Sequence, residues 1–233
     1  MDSNKNQQLR SDIKYDRDAW MVTYGSLLTG VLAFFLLLVG RTTSEAESLF
    51  KFTDNLTQRI GQQLSALKNE ADYPWLYIED TGNKGIKLLI PASVGDRPSF
   101  ATGQAELTED FKPFIEGIGG LLLKTDLGQI DKLYQKQIER LHYAGKDIEI
   151  SIKVEGHTDL RGISTANFRD NWELSTARAY TVMQLIQKIT KLPENYFSLG
   201  GYAYFHPLKT LENYDENRRV ELYIKVNMVD KRQ

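Results

Sequence analysis

The 233-residue chain contains no cysteine, which removes disulfides, thiolate nucleophiles and Cys-type zinc sites from its possible chemistry. It has no basic excess either. Its 29 Lys and Arg stand against 31 Asp and Glu, a formal charge of −2 with a pI near 6.0, so no nucleic-acid partner is expected. Histidine is scarce: His142, His157 and His206 are the only three, and their spacing matches no metal-ligand motif. No cofactor is therefore expected. Long apolar runs are missing too, with one exception, "WMVTYGSLLTGVLAFFLLLVG" from Trp20 to Gly40.

That run carries no charged residue. As a helix it spans about 30 Å, the thickness of a bilayer core. A cleaved signal peptide would need a basic leader, a shorter apolar core and a small-residue cleavage site. Here residues 1–19 carry four Lys/Arg and four Asp/Glu, and Arg41-Thr42-Thr43-Ser44 follows the run. The segment is read as a retained transmembrane helix, 20–40, behind a polar, flexible tail, 1–19. Basic residues on both sides orient it only weakly. Its polar content, Tyr24, Ser26, Thr29 and Thr23, all lies in the first half.

Beyond the membrane, Leu49, Phe52, Leu56, Ile60, Leu64 and Leu67 recur at steps of three and four, which predicts an amphipathic helix. Ser44 before Glu45 and Glu47 suits its start. Residues 41–74 are read as a linker, either a stalk packed on a second copy or a plug, and Pro74 ends it. Residues 75–233 read as one α+β domain. "WLYIEDTGN" and "GIKLLIPAS" form a hairpin, and helices are predicted over 106–124 and 127–145. "DIEISIKVEGHTD" alternates as a strand, Trp172–Lys191 is helical, Leu199–Tyr202 is a short strand and "RRVELYIKV" a last one.

The strand end "EGHTD" followed by "NWELSTARAYTVMQLI" carries the sharpest chemistry. Asp159 sits where a strand releases into a loop, and Arg178 lies one turn past Ser175 on the next helix. A carboxylate and a guanidinium offered together suit a small zwitterion. The same two residues also suit a plain structural pair locking loop to helix. A hydrolase is disfavoured, because nothing like a nucleophile elbow surrounds Ser175. Gly119-Gly120 lacks the Lys-Ser/Thr of a phosphate loop.

"EGHTDLRG", "NWELSTARA" and "NRRVEL" together resemble the OmpA-like peptidoglycan-binding domain, and "NWELSxxRA" is similar to its MotB-type branch. The N-terminal "WMVTYGSLLTGVLAFFLLL" resembles that branch as well, in the right order. The resemblance implies an OmpA-like α/β sandwich, a mixed sheet with helices on one face. It implies a stator B subunit, non-enzymatic, single-pass in the bacterial inner membrane, with a cytoplasmic N-terminus and a periplasmic C-terminal domain. Its implied partners are peptidoglycan, a second copy of itself and a MotA-like A subunit arranged as a pentamer. The same build serves flagellar motors and the Zorya anti-phage motor. Carried over by position, Asp159 and Arg178 would hold the amine and carboxylate of diaminopimelate in a stem peptide. Thr158, Asn171, Leu174 and Ser175 would support them, while Asn217 and Arg218 would shape the pocket or brace the last strand.

One position departs from the family pattern. Where that pattern has its ion-carrying membrane Asp, this chain has Ser26, whose hydroxyl does not titrate near neutral pH. The expected ion path therefore contains Ser26, Tyr24 and Thr29 but no carboxylate. Two rivals stand beside the stator reading. One is a structural wall tether; the other is a wall-cleaving enzyme, for which no acid–base pair can be placed.

Overall fold

The computed structural model describes residues 2–208 and 214–231, and their side chains except at 2–19, 41–50 and 214. Two compact units result, Met1–Leu49 and Phe50–Gln233.

The first unit is helical. Helix α1 is assigned over Asp2–Glu70 and contains the Trp20–Gly40 segment, of mean hydropathy 2.1 and with none of it buried. No proline precedes Pro74, so nothing interrupts the i→i−4 ladder. Residues 2–19, expected as a flexible tail, are accordingly helical, and Ser44 falls inside the helix rather than at its start. Two hydroxyls of the apolar segment close on their own backbone. Ser26 Oγ donates to Val22 O at 2.8 Å, and Thr29 Oγ1 donates to Gly25 O at 2.8 Å. Such back-bonding lets a hydroxyl sit at membrane depth without a partner.

The second unit opens with the last turns of α1. Leu56, Ile60 and Leu64 are buried in its core, with Phe52 and Leu67 packed at the margin. The stripe expected to form a separate stalk or plug instead packs into the core of the second unit, which begins at Phe50. Leu49 lies outside the described side chains. The sheet explains the docking. Strand β2 (Ile86–Ile90) pairs with β7 (Arg219–Asp230) only as far as Ile224. Val226 N–H then donates to Thr57 Oγ1 of α1 at 3.0 Å, so the helix satisfies a backbone group that the strand leaves open.

The sheet has five strands in the order β1-β2-β7-β5-β6, where β1 is Tyr77–Asp80, β5 Lys146–His157 and β6 Phe197–Gly201. All neighbours are antiparallel except β5 and β6, which are joined through helix α5, Asn171–Thr190, as a parallel pair requires. Alternation puts Ile150, Ile152 and Val154 beside Leu222, Ile224 and Val226 on one buried face. A two-stranded ribbon, β3 (Ser93–Val94) with β4 (Arg97–Pro98), stands apart from this sheet.

Two helices differ from expectation. The one predicted over 106–124 begins only at Lys112, as α2 (Lys112–Lys124) with Pro113 in its first turn, the place where a missing N–H costs nothing. Leu107 before it bridges to Phe100 instead. The one predicted over 127–145 divides into α3 (Ile130–Leu133) and α4 (Gln135–Tyr143). The break is at Tyr134, whose ring packs edge-on against Phe52 at 5.8 Å. A short α6, Tyr214–Asn217, precedes β7.

Candidate functional site

A pair of glycines sets the position of α5. Gly156 of β5 stands in register with Gly201 of β6, and both lie beneath the helix's first turns. A Cβ at Gly156 would come within 2.0 Å of Ser175 O, and one at Gly201 within 2.1 Å of Thr176 Oγ1. Ser175 is fully buried at this contact, donating to Trp172 O and accepting from Ala203 N–H. It therefore fixes the helix to the strand ends and offers no free hydroxyl for nucleophilic chemistry. Because the Gly156 clash is with backbone, Gly156→Ala is expected to cost about 3 kcal/mol, the upper end for overpacking. An unchanged melting temperature in calorimetry of the full chain would contradict this.

The helix start also shapes the loop before it. Asp170 caps α5, its carboxylate accepting from Glu173 N–H at 3.0 Å. Asn171 Nδ2 donates to Asp159 O at 3.3 Å and to Arg161 O at 3.0 Å. Thr158 N–H donates to Ala203 O at 2.8 Å, while Thr158 Oγ1 is buried without a hydrogen-bond partner. These contacts hold Asp159 at the mouth of a cleft of ≈ 440 Å³. Leu174 supplies part of its apolar wall, and Arg178 faces it from one turn further along α5.

Arg178 is a buried cation, 7% exposed. Its Nε and Nη2 donate to Gln104 O at 2.9 Å and Ala101 O at 3.3 Å, and its guanidinium lies 4.9 Å from the Phe100 ring centre. Among the described residues no carboxylate reaches ion-pair distance of it. Burial lowers its pKa to about 10, Arg218 adding to the effect and Asp159 opposing it, so it stays charged at neutral pH. A carboxylate-bearing ligand is what such a group lacks.

Asp159 is also buried, but it is engaged. Its Oδ2 accepts from Arg161 Nε at 3.0 Å and Nη2 at 2.5 Å, its Oδ1 accepts from Arg161 N–H at 3.0 Å, and Arg218 Nη1 lies 3.4 Å from Oδ2. The simple Asp159–Arg178 lock is absent. The two charges instead face one cleft separately. Asn217 braces rather than binds, its Oδ1 accepting from Leu208 N–H at 3.0 Å, whereas Arg218 enters the cleft.

A buried charged cluster, which spacing along the chain does not show, lies on the opposite face of β5 from Ile152 and Val154, and two of its members, His157 and Arg219, also line the cleft. Glu155 and Glu221 are direct cross-strand partners, both almost fully buried, with His157 beside them. Like charges so placed repel. Lys153 Nζ at 2.8 Å and Lys84 Nζ at 3.4 Å from Glu155, and Arg219 Nε at 2.6 Å from Glu221, offset this. Tyr223 Oη donates to Glu221 at 2.7 Å. Burial works against the Lys153 cation, yet Glu155 and Tyr202 raise its pKa overall. Burial likewise opposes Glu221 ionisation, but His157, Arg219 and Tyr223 outweigh it and hold Glu221 well below the usual carboxylate range. The Glu155, His157 and Glu221 ligand atoms lie within 4.8 Å of one another. Three cationic side chains already balance the two carboxylates, so the cluster is built as an ion-pair network.

Sequence comparison agrees with this architecture. Residues 4–60 match the family described as membrane MotB of the proton-channel complex MotA/MotB, and residues 124–220 match the OmpA family. Motility protein B of Bacillus subtilis is 40% identical over 242 residues, spanning 89% of this chain and 90% of that protein. YtxE, an uncharacterized protein of the same organism, is 31% identical over 230 residues, spanning 96% and 92%. A putative MotB-like protein from Desulfovibrio vulgaris shares the fold, with a TM-score of 0.56 at 20% identity over 77% of this chain and 99% of that one. With a membrane-length apolar helix ahead of an OmpA-like α+β domain, the chain belongs to the MotB family.

Proposed function

We propose that this chain is the wall-anchored B subunit of a rotary stator, gripping the stem peptide of peptidoglycan in the Asp159–Arg178 cleft. Arg178 carries the reading: a buried guanidinium held by two carbonyls and a ring, facing a cleft, with no carboxylate at ion-pair distance among the described residues. The diaminopimelate carboxylate would take its Nη1, and the ammonium would take Asp159. Thr158 Oγ1, buried without a partner, is a further donor or acceptor for the peptide. The protein is a binding subunit rather than an enzyme, its domain on the wall side of the membrane and its N-terminus in the cytoplasm. Sedimentation of the full-length chain with purified sacculi tests this. Wild type should pellet and the Asp159→Ala/Arg178→Ala double variant should stay in the supernatant; equal pelleting would refute the cleft.

Assembly follows the family pattern, two copies inside a pentamer of A subunits. The leucine-spaced stripe no longer supports self-pairing, since Leu56, Ile60 and Leu64 are used within the domain. The fully exposed Trp20–Gly40 face is what calls for partners or lipid.

Ser26 favours a second reading, a wall tether that assembles without conducting. Its hydroxyl is hydrogen-bonded to Val22 O and has no proton to cycle near neutral pH. Ser26→Asp should leave wall binding unchanged and introduce ion-driven activity, read as ion flux and as motility or phage protection at matched expression. The second of these phenotypes would place the chain in a Zorya-type defence motor. Full activity with Ser26 and no gain with Asp would show that the ion path runs through other groups, such as Thr29.

A further inference from the structure

Asp159, the group assigned to the ligand's ammonium, is already gripped by a cation from its own loop. Arg161 places Nε and Nη2 on Oδ2 at 3.0 and 2.5 Å, the two-pronged geometry of a bound guanidinium. Its side chain is 56% exposed, against 7% for that of Asp159, so it can leave without opening the core. A second acceptor waits beside it. Asp215 Oδ1 is 3.8 Å from the same Arg161 Nη2, and the Asp215 side chain is 81% exposed. Arg218 spans both carboxylates, 3.4 Å from Asp159 and 2.5 Å from Asp215.

We propose that Arg161 is an internal competitor for the amine seat, exchanging Asp159 for Asp215 when a ligand ammonium arrives, and so tunes the affinity and amine selectivity of the cleft. The proposal rests on the wall-binding reading above. Arg161 lies two residues past Asp159, and Asn171 accepts no freedom in that turn, binding both Asp159 O and Arg161 O. The backbone thus stays in place while the side chain moves. Apparent affinity falls by the fraction of molecules in which the seat is open, so removing the competitor raises it. An ammonium-bearing ligand must displace Arg161. A ligand with carboxylates alone binds through Arg178 and leaves Arg161 where it is.

Titration calorimetry of the full-length chain in nanodiscs tests this with two synthetic stem tripeptides. One ends in meso-diaminopimelate, the other in 2-aminopimelate, which lacks the side-chain ammonium. Arg161→Gln should raise affinity for the first about three- to tenfold relative to the second, because a half-exposed ion pair holds the seat only modestly. The two peptides differ by one charge, so Arg161→Lys, which keeps the positive charge but loses the two-pronged grip on Asp159, is the charge-matched control and should move the ratio in the same direction. Asp215→Asn should shift the ratio the other way, since Arg161 loses its second acceptor. An unchanged ratio in Arg161→Gln, while Asp159→Asn abolishes the preference for the amine, would overturn the proposal and leave the cleft reading intact. If Asp159→Asn binds both peptides like wild type, the cleft reading itself fails.

Discussion

Glu221→Gln is expected to destabilise the protein by about 3–5 kcal/mol, the usual cost of removing one partner from a buried ion pair. Glu221 and Arg219 are 3% and 6% exposed, with Nε and Oε1 2.6 Å apart. The variant keeps the shape but leaves Arg219 with a neutral amide, and it takes a charged acceptor from Tyr223 as well. Arg219 also donates to His206 O at 2.9 Å and Asn217 O at 3.3 Å, so its displacement reaches the loop and α6 that border the cleft. Urea unfolding of both proteins at neutral pH gives the difference. A change below about 1 kcal/mol, the scale of an exposed pair, would contradict the network.

The same carboxylate sets an acid limit. Its pKa is depressed in the folded protein, while in the unfolded chain a Glu titrates near about 4.3. Its contribution is therefore complete above that value and is lost as pH falls through the folded pKa. Wild-type stability should decline steadily below about pH 4.3, and Glu221→Gln should show a shallower decline from its lower plateau.

Arg178→Ala is expected to weaken binding to a diaminopimelate stem peptide by about 2–5 kcal/mol, the cost of truncating one partner of a desolvated charge pair. Arg178→Lys should recover only part of this. A lysine can supply charge, but not the planar fork that donates to Gln104 O and Ala101 O while lying over Phe100. Calorimetric titration reads both variants, and a Lys variant equal to wild type would mean that charge alone matters here.

Much of the fold is legible in the sequence because strands that bury one face alternate. Ile148, Ile150, Ile152 and Val154 give β5 its place directly. The stripe of Leu56, Ile60 and Leu64 is equally legible as a buried helix face. What buries it is not, since periodicity names a face and never the surface it meets; the partner turns out to be the chain's own sheet. The break at Tyr134 is invisible for a related reason: the ring leaves the helix pattern to reach Phe52, far away in sequence.

The site divides in the same way. Asp159, Thr158, Asn171 and Arg178 are read from a contiguous motif, and all line or support one cleft. The carbonyls of Ala101 and Gln104 come from a loop with no motif, so nothing in the sequence marks them as the cradle of Arg178. Glu155 and Glu221 become neighbours only through the β5–β7 register. Glu155 and His157 do lie two residues apart on one strand, a signal that points to one face but not to the partner across it. Arg161 is a surface arginine by sequence, and only its side-chain direction puts it on Asp159.

The central claim is that Asp159 and Arg178 hold the two ends of one zwitterion. A crystal structure of the chain with the tripeptide L-Ala-γ-D-Glu-meso-diaminopimelate bound tests it most directly. The account predicts the diaminopimelate ammonium within hydrogen-bond distance of the Asp159 carboxylate, its carboxylate on Arg178, and Arg161 turned toward Asp215. A peptide bound elsewhere on the domain, or one that leaves Arg178 with only its two carbonyls, would contradict it.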